Sequence, residues 1–209
     1  MTKVTPIEHD YLPAAGRDAL LPLYDAMTRL YGARWAHRRL VRRADLSSGL
    51  RVLEIGCGTG NLAVAAKRSQ PGIALTALDP DPLALQRAHR KSVEIDFERG
   101  YSQELRFADG VFDRALSAFM VHHLDDESTK NTVAELFRVI RPGGAVHIVD
   151  FVELGHTFAR RDQPTFRSAP EVSKQLTDAG FAVEKPEVVR RRMLGTVAFY
   201  AAIKPATDQ

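Results

Sequence analysis

Three glycines at alternate positions, Gly56, Gly58 and Gly60, follow the short run Val52-Leu53-Glu54-Ile55 and precede Leu62-Ala63-Val64-Ala65-Ala66-Lys67. No other stretch restricts the fold as strongly. The apolar run before the glycines reads as a buried strand, and the run after them as a helix. A strand that enters a helix through such a turn makes a floor for a ligand, because main chain without Cβ atoms turns sharply and lets a bound molecule approach. The amides that open the helix point at that molecule and favour an anionic group.

The spacing separates two ligands. A dinucleotide site wants G-x-G-x-x-G, whereas here the third glycine comes one position early and Asn61 stands where that pattern needs glycine. Glu54, just before the turn, is a poor neighbour for a pyrophosphate and a good one for an ammonium group. A ligand with an amino acid at one end and a nucleoside at the other suits the stretch better. The pattern E-x-G-x-G-x-G after a strand resembles the first motif of the class I S-adenosylmethionine (SAM)-dependent methyltransferases, and the resemblance runs from about Tyr24 to Pro205.

That resemblance implies SAM as cofactor and S-adenosyl-L-homocysteine as product. It places the main chain of Gly56, Cys57, Gly58 and Gly60 under the ligand and Glu54 against its ammonium, directly or through water. Asp79 ends the second apolar run about twenty residues past the glycines, where an acid reaches ribose hydroxyls in nucleoside-binding α/β folds. Asp79 as a helix cap is the alternative, but Asp81 can fill that role. Pro80 would lie against the adenine. Gly100–Phe107, GYSQELRF, is similar to the family's G-D-A-x-x-L-P-F, with Tyr101 in the place of the usual acid. Either Tyr101 stacks on the ring or Ser102 supplies hydrogen bonds. Ser117 and Ala118, at the end of the fourth strand, belong to the same rim, and Tyr24 opens a Tyr-Asp pair that would close over the cofactor.

The elements alternate. Strands are expected near 73–79, at Val93, Ile95 and Phe97, at 112–117 and at 145–151, with helices over 61–69, 83–91 and 126–140 between them. Short links between them imply parallel pairing with right-handed crossovers. A helix over 170–179 and two strands, 181–189 and 194–203, end the chain, an ending that the family shares. The expected fold is an α/β three-layer sandwich: a seven-stranded, mostly parallel sheet with an antiparallel C-terminal hairpin, plus N-terminal helices. At 209 residues the chain fits one domain, residues 1–45 forming an arm and lid helices and 50–204 a Rossmann-like core. The loop Val152–Arg167 would complete the lid. No run of about 18 apolar residues occurs and the N-terminus lacks an apolar signal region, so a cytoplasmic protein is expected.

Past the fourth strand, His122 and His123 precede Asp125-Asp126. Adjacent residues seldom converge on one ion and no third ligand shares their spacing, so no metal is expected. One histidine is a candidate general base, packing or capping being the alternative. His123 matches the family's recurrent position and is assigned the catalytic role. Asp150, at the end of the fifth strand, either faces substrate or caps the next loop. Cys57, the chain's single cysteine, has nothing basic beside it to form a thiolate, which excludes it as a nucleophile. Glu135–Gly144, ELFRVIRPGG, resembles the family's E-x-x-R-V-L-x-P-G-G and is read as structural.

The absence of an Asp/Asn-Pro-Pro-Tyr/Phe motif disfavours amide or adenine nitrogen as the acceptor. A methyl acceptor that is a small molecule, lipid or quinone-like, fits best. A non-catalytic SAM-binding sensor or partner subunit and an RNA-directed enzyme are the rivals. Net charge is +3, too weak alone to argue for nucleic acid. The arginines are nevertheless clustered, at Arg34, Arg38, Arg39, Arg42 and Arg43, at Arg160-Arg161 and at Arg190-Arg191-Arg192. They read either as solvated faces or as a peripheral contact with anionic lipid. The oligomeric state is not written in the sequence.

Overall fold

A computed structural model describes residues 32–154, 167–192 and 194–206. The expected arm, Tyr24, the apolar stripe up to Tyr31, residues 155–166 of the expected lid and the cluster Arg160-Arg161 lie outside the described residues.

The described chain runs α1 (Ala33–Arg43), β1 (Arg51–Ile55), α2 (Asn61–Ser69), β2 (Ala74–Asp79), α3 (Pro82–His89), β3 (Asp96–Arg99), β4 (Phe112–Ala118), a 3-10 turn (Val121–His123), α4 (Asp126–Val139), β5 (Ile140–Leu154), α5 (Ala169–Asp178), β6 (Ala182–Val183), β7 (Glu187–Arg191) and β8 (Gly195–Ile203). The sheet order is β3-β2-β1-β4-β5-β8-β6, with β7 also on β8. Strands β1 to β5 are parallel, and β8 returns antiparallel against β5.

The period of two along each strand divides the core. Val52, Leu75, Leu116, Val149 and Phe199 face a layer built by Leu40 of α1, Leu62 of α2 and Leu85 of α3. Leu53, Ala115, Ile148 and Tyr200 face the opposite layer, built by Leu136 of α4 and Leu176 of α5. Each fully buried side chain of this size contributes about 1.5–3 kcal/mol. This is the expected three-layer α/β sandwich. Its helices start where the residues dictate: Gly32, at φ 98°, precedes α1, and Asp81 caps α3 by accepting from the amides of Leu83 (2.8 Å) and Ala84 (3.2 Å).

Two expectations change. Eight strands replace seven because the strand expected over 181–189 is broken at Pro186, which has no N–H for the ladder. Val183 pairs with Ala202 while Glu187 pairs with Phe199, so the register slips by one residue across the break. The alternation at Val93 is misleading, since β3 begins at Asp96 and Val93 is 96% exposed.

Candidate active site

The parallel order puts the carboxyl ends of β1, β2, β4 and β5 along one rim, where open α/β sheets hold their ligands. At the centre of that rim each glycine of the turn has its own task. Gly56 (φ +66°) lies against Met120, with which any Cβ would collide, and Gly60 (φ +78°) packs on Ala88 and Phe97. Gly58 (φ +51°) has nothing within 4 Å of where a Cβ would stand, so its backbone borders open space. The turn is bonded to the end of β2, Cys57 N–H donating to Leu78 O (3.0 Å) and Gly58 N–H to Asp79 Oδ2 (2.7 Å).

Two acids lie on this floor. Asp79 Oδ1 also accepts from Asp81 N–H (2.9 Å). Burial raises its pKa to about 6, the two amide hydrogen bonds opposing the shift. Glu54 is 2% exposed, and its Oε2 is buried with no hydrogen-bond partner. Burial first, then the charge of Asp79, push its pKa well above the ordinary carboxylate value. Burial likewise raises the Cys57 thiol, in keeping with a small spacer and against a nucleophile. Two desolvated carboxylates facing each other are costly unless a cation joins them.

The remaining expected contacts sit around this floor. Pro80 is half-buried, with its carbonyl accepting from Arg99 Nε (3.2 Å). Tyr101 is half-buried at the entrance of the loop after β3. The Ser102 hydroxyl is turned to helix α4, 2.8 Å from Thr132 Oγ1, which leaves the Ser102 main chain for any ligand. Ser117 Oγ is buried without a partner, and Ala118 is half-buried against the α1–α3 layer. Glu135 and Arg138 tie the same loop down, Glu135 accepting from Leu105 N–H (2.7 Å) and Arg138 donating to the carbonyls of Leu105 (2.8 Å) and Phe107 (2.7 Å). Two motif segments thirty residues apart in the chain therefore form one clamp.

Beyond β4 the structure distinguishes His123 from the histidine before it. The buried histidine held by an acid is its neighbour. His122 Nδ1 lies 2.6 Å from Asp150 Oδ1, and His122 N–H donates to Asp150 Oδ2 (3.0 Å). Its ring stands between those of His123 (centroids 4.0 Å apart) and Phe151 (5.4 Å). Burial, then the adjacent His122, hold the His123 ring near pKa 4, the charge of Asp150 opposing, which makes it a weak proton acceptor at neutral pH. Arg167, buried as well, braces the turn by donating to Val121 O (3.4 Å) and pairing with Asp126 (2.7 Å). Sequence reading missed Met120 and Arg167, which no motif marks. Asp150 it left between two roles. Among the described residues no group of three His, Cys, Asp or Glu side chains could hold a metal ion, and no helix is long and apolar enough to cross a membrane.

Comparison with known proteins agrees with this architecture. Residues 52–144 match the methyltransferase domain family. A demethylmenaquinone methyltransferase of Thermus thermophilus is 33% identical over 140 residues, covering 63% of this chain and 62% of the relative, so the match spans less than two thirds of that protein. In fold, the chain is similar to a Haemonchus contortus phosphoethanolamine N-methyltransferase solved with S-adenosyl-L-methionine (TM-score 0.74, 17% identity, 92% of this chain and 58% of the other). It is equally similar to the [4+2]-cyclase SpnF (TM-score 0.73, 20% identity, 84% and 82%). The glycine turn, the strand order and the matched sequence agree: residues 52–144 match a methyltransferase domain, and the chain resembles the class I family and, within it, the quinone-directed group.

Proposed function

We propose that the chain binds SAM across the ends of β1 and β2 and transfers its methyl group to a small-molecule acceptor. The observation that carries this reading is Glu54: a buried carboxylate with an unpartnered oxygen, beside a second buried acid, on a turn of left-handed glycines. An ammonium group would complete that arrangement, and an anionic ligand such as a pyrophosphate would worsen it. Asp79 keeps acceptor capacity on both oxygens for a pair of hydroxyls while it holds the turn.

Bound SAM supplies a methyl group that is already electrophilic on its sulfonium. The protein's part is then to align the acceptor, keep water out and take up a proton. That last task falls to His122. Its Nδ1 is committed to Asp150, which fixes the tautomer with Nε2 as the basic atom and stabilises the imidazolium that forms when the acceptor's proton arrives. This chemistry suits an acceptor whose attacking centre must shed a proton, as a reduced quinone ring with its hydroxyls must. The similarity to a demethylmenaquinone methyltransferase favours the same acceptor class.

Isothermal titration of the chain with SAM tests the first half. Binding is expected, with a loss on Asp79→Ala, and a wild-type chain that does not bind SAM ends the reading. Labelled SAM offered with reduced demethylmenaquinone tests the second half, label in the ring product being the expected result.

A further inference from the structure

The two arginine clusters about 150 residues apart in sequence are neighbours in the fold. Helix α1 lies over β5 and β8, where Trp35 meets Phe199 edge-on, with ring centroids 5.7 Å apart. Arg39 and Arg43 pair with Glu187 of β7, and the guanidinium of Arg191 sits over the Trp35 ring (4.6 Å). With those two paired arginines drawn inward, Arg34, Arg38 and Arg42 are left on the exposed side of α1, while exposed Arg190 and Arg192 flank Arg191 at the end of the neighbouring strand β7. None of these five has an acidic partner among the described residues.

The two segments 34–43 and 184–192 together hold nine cations (eight arginines and Lys185) and two carboxylates, Glu184 and Glu187. That local excess is larger than the +3 of the whole chain, so the rest of the protein is net acidic. The positive side has a defined position. Arg191 pairs with Gly195, and Gly195 pairs with Leu154 at the carboxyl end of β5, so the end of β7 reaches the rim that bears the candidate active site.

We propose that this face docks the protein on an anionic lipid bilayer, holding the rim of the site beside the membrane surface. Charge complementarity carries the choice of occupant: long-stemmed arginines without an acidic partner among the described residues, on a chain that is net acidic elsewhere, fit a planar negative surface. Single-stranded RNA is the less suitable ligand. Trp35, the face's aromatic ring, is half-buried and covered by Arg191 and Arg39, so it offers no open platform for a base to stack on. Docking does not depend on the proposed activity, although a lipophilic acceptor would gain a route into the crevice from it.

Sedimentation of the full chain with vesicles tests the proposal. Binding is expected to phosphatidylcholine mixed with phosphatidylglycerol and not to phosphatidylcholine alone, and it should fall steeply as the Debye length shrinks from about 10 Å at 0.1 M salt toward about 3 Å at 1 M. Each exposed arginine removed should lower partitioning about fivefold at low salt. The triple change Arg34→Gln, Arg38→Gln and Arg42→Gln should therefore lower it about 100-fold, and Arg190→Gln with Arg192→Gln somewhat less. SAM titration of each variant serves as the folding control, with unchanged affinity expected. A wild-type chain that ignores the anionic vesicles, variants that bind them as well as wild type does, or salt-sensitive capture of single-stranded RNA without vesicle binding would each overturn the assignment. Vesicle binding by a chain that fails to bind SAM would leave the docking face standing and remove the proposed activity instead.

Discussion

The rim of the sheet has two halves, and they are built by different means. The half over β1 and β2 is mostly main chain: a turn of three glycines, amides donated to Asp79, and one buried acid reaching in from β1. The half over β4 and β5 is mostly side chain: the His122–Asp150 pair, the Ser117 hydroxyl and Arg167 behind them. A floor of backbone tolerates little change, because every residue in it is fixed by φ or by contact. A wall of side chains can change its chemistry without disturbing the fold. The division suits a protein that keeps one ligand constant and varies the other.

The backbone half should break most completely. In Gly56→Val a β-branched residue must hold φ +66° and its Cβ must enter the space of Met120. The left-handed conformation costs about 1–2 kcal/mol and the overpacking about 1–3 kcal/mol more. Urea denaturation should show a loss of about 2–5 kcal/mol, and SAM binding should vanish. Adding Met120→Ala should restore the packing part and not the conformational part. Full recovery in the double variant would mean that the turn's backbone is less demanding than its geometry indicates.

The acids of that half are expected to oppose stability and binding to each other. Asp79 titrates near 6 in the fold, above the ordinary value of 3.8, so folding favours its protonated form. Its contribution is fully present below about pH 4 and is lost as pH rises through about 6, a span worth at most about 3 kcal/mol. The ligand-free protein should therefore lose stability from pH 4 to pH 7, while affinity for SAM, whose positive groups favour the ionised acids, rises over the same range. Asp79→Asn should flatten this part of the stability curve and weaken SAM binding. Parallel slopes for stability and affinity would contradict the assignment of these acids to a cationic ligand.

In the side-chain half the comparison turns on two adjacent rings. His122→Gln should lower turnover with reduced demethylmenaquinone about 100-fold at unchanged SAM affinity, as loss of a general base does. His123→Gln should stay within a few-fold of wild type. The reverse ranking would restore His123 as the base and leave His122–Asp150 as packing. The resemblance favoured His123, and no local feature of the sequence distinguishes the two rings. In a 3-10 turn successive residues point about 120° apart, and what decides which ring is held is Asp150, twenty-eight positions later. The floor was legible because its parts lie within one strand, one turn and the end of the next strand, each with its own local signature. Pro186, by contrast, was visible in the sequence, but its effect on the edge strand needed the register with β8. The alternation at Val93 satisfied a strand's period without the neighbour that a strand requires. Tyr24 and the segment 155–166 fall outside what the structure describes, so the lid stands as a proposal.

Ser117 lies at the seam between the halves, on the strand that pairs with both β1 and β5. Its hydroxyl is buried and unpartnered, an arrangement that costs the fold about 1–3 kcal/mol unless something pairs with it. Ser117→Ala removes that cost along with the oxygen, so the ligand-free protein should be unchanged or slightly more stable in urea denaturation. What changes should be a ligand affinity, by about 1 kcal/mol or roughly fivefold, the worth of one neutral hydrogen bond. Titration with SAM and kinetics with the acceptor distinguish the owner of that bond: a weaker SAM affinity assigns the hydroxyl to the backbone half, and a raised KM for the acceptor alone assigns it to the side-chain half. Stability falling with neither affinity altered would mean that the hydroxyl serves the fold. The smallest of these effects is thus the one that locates the boundary between the invariant floor and the variable wall.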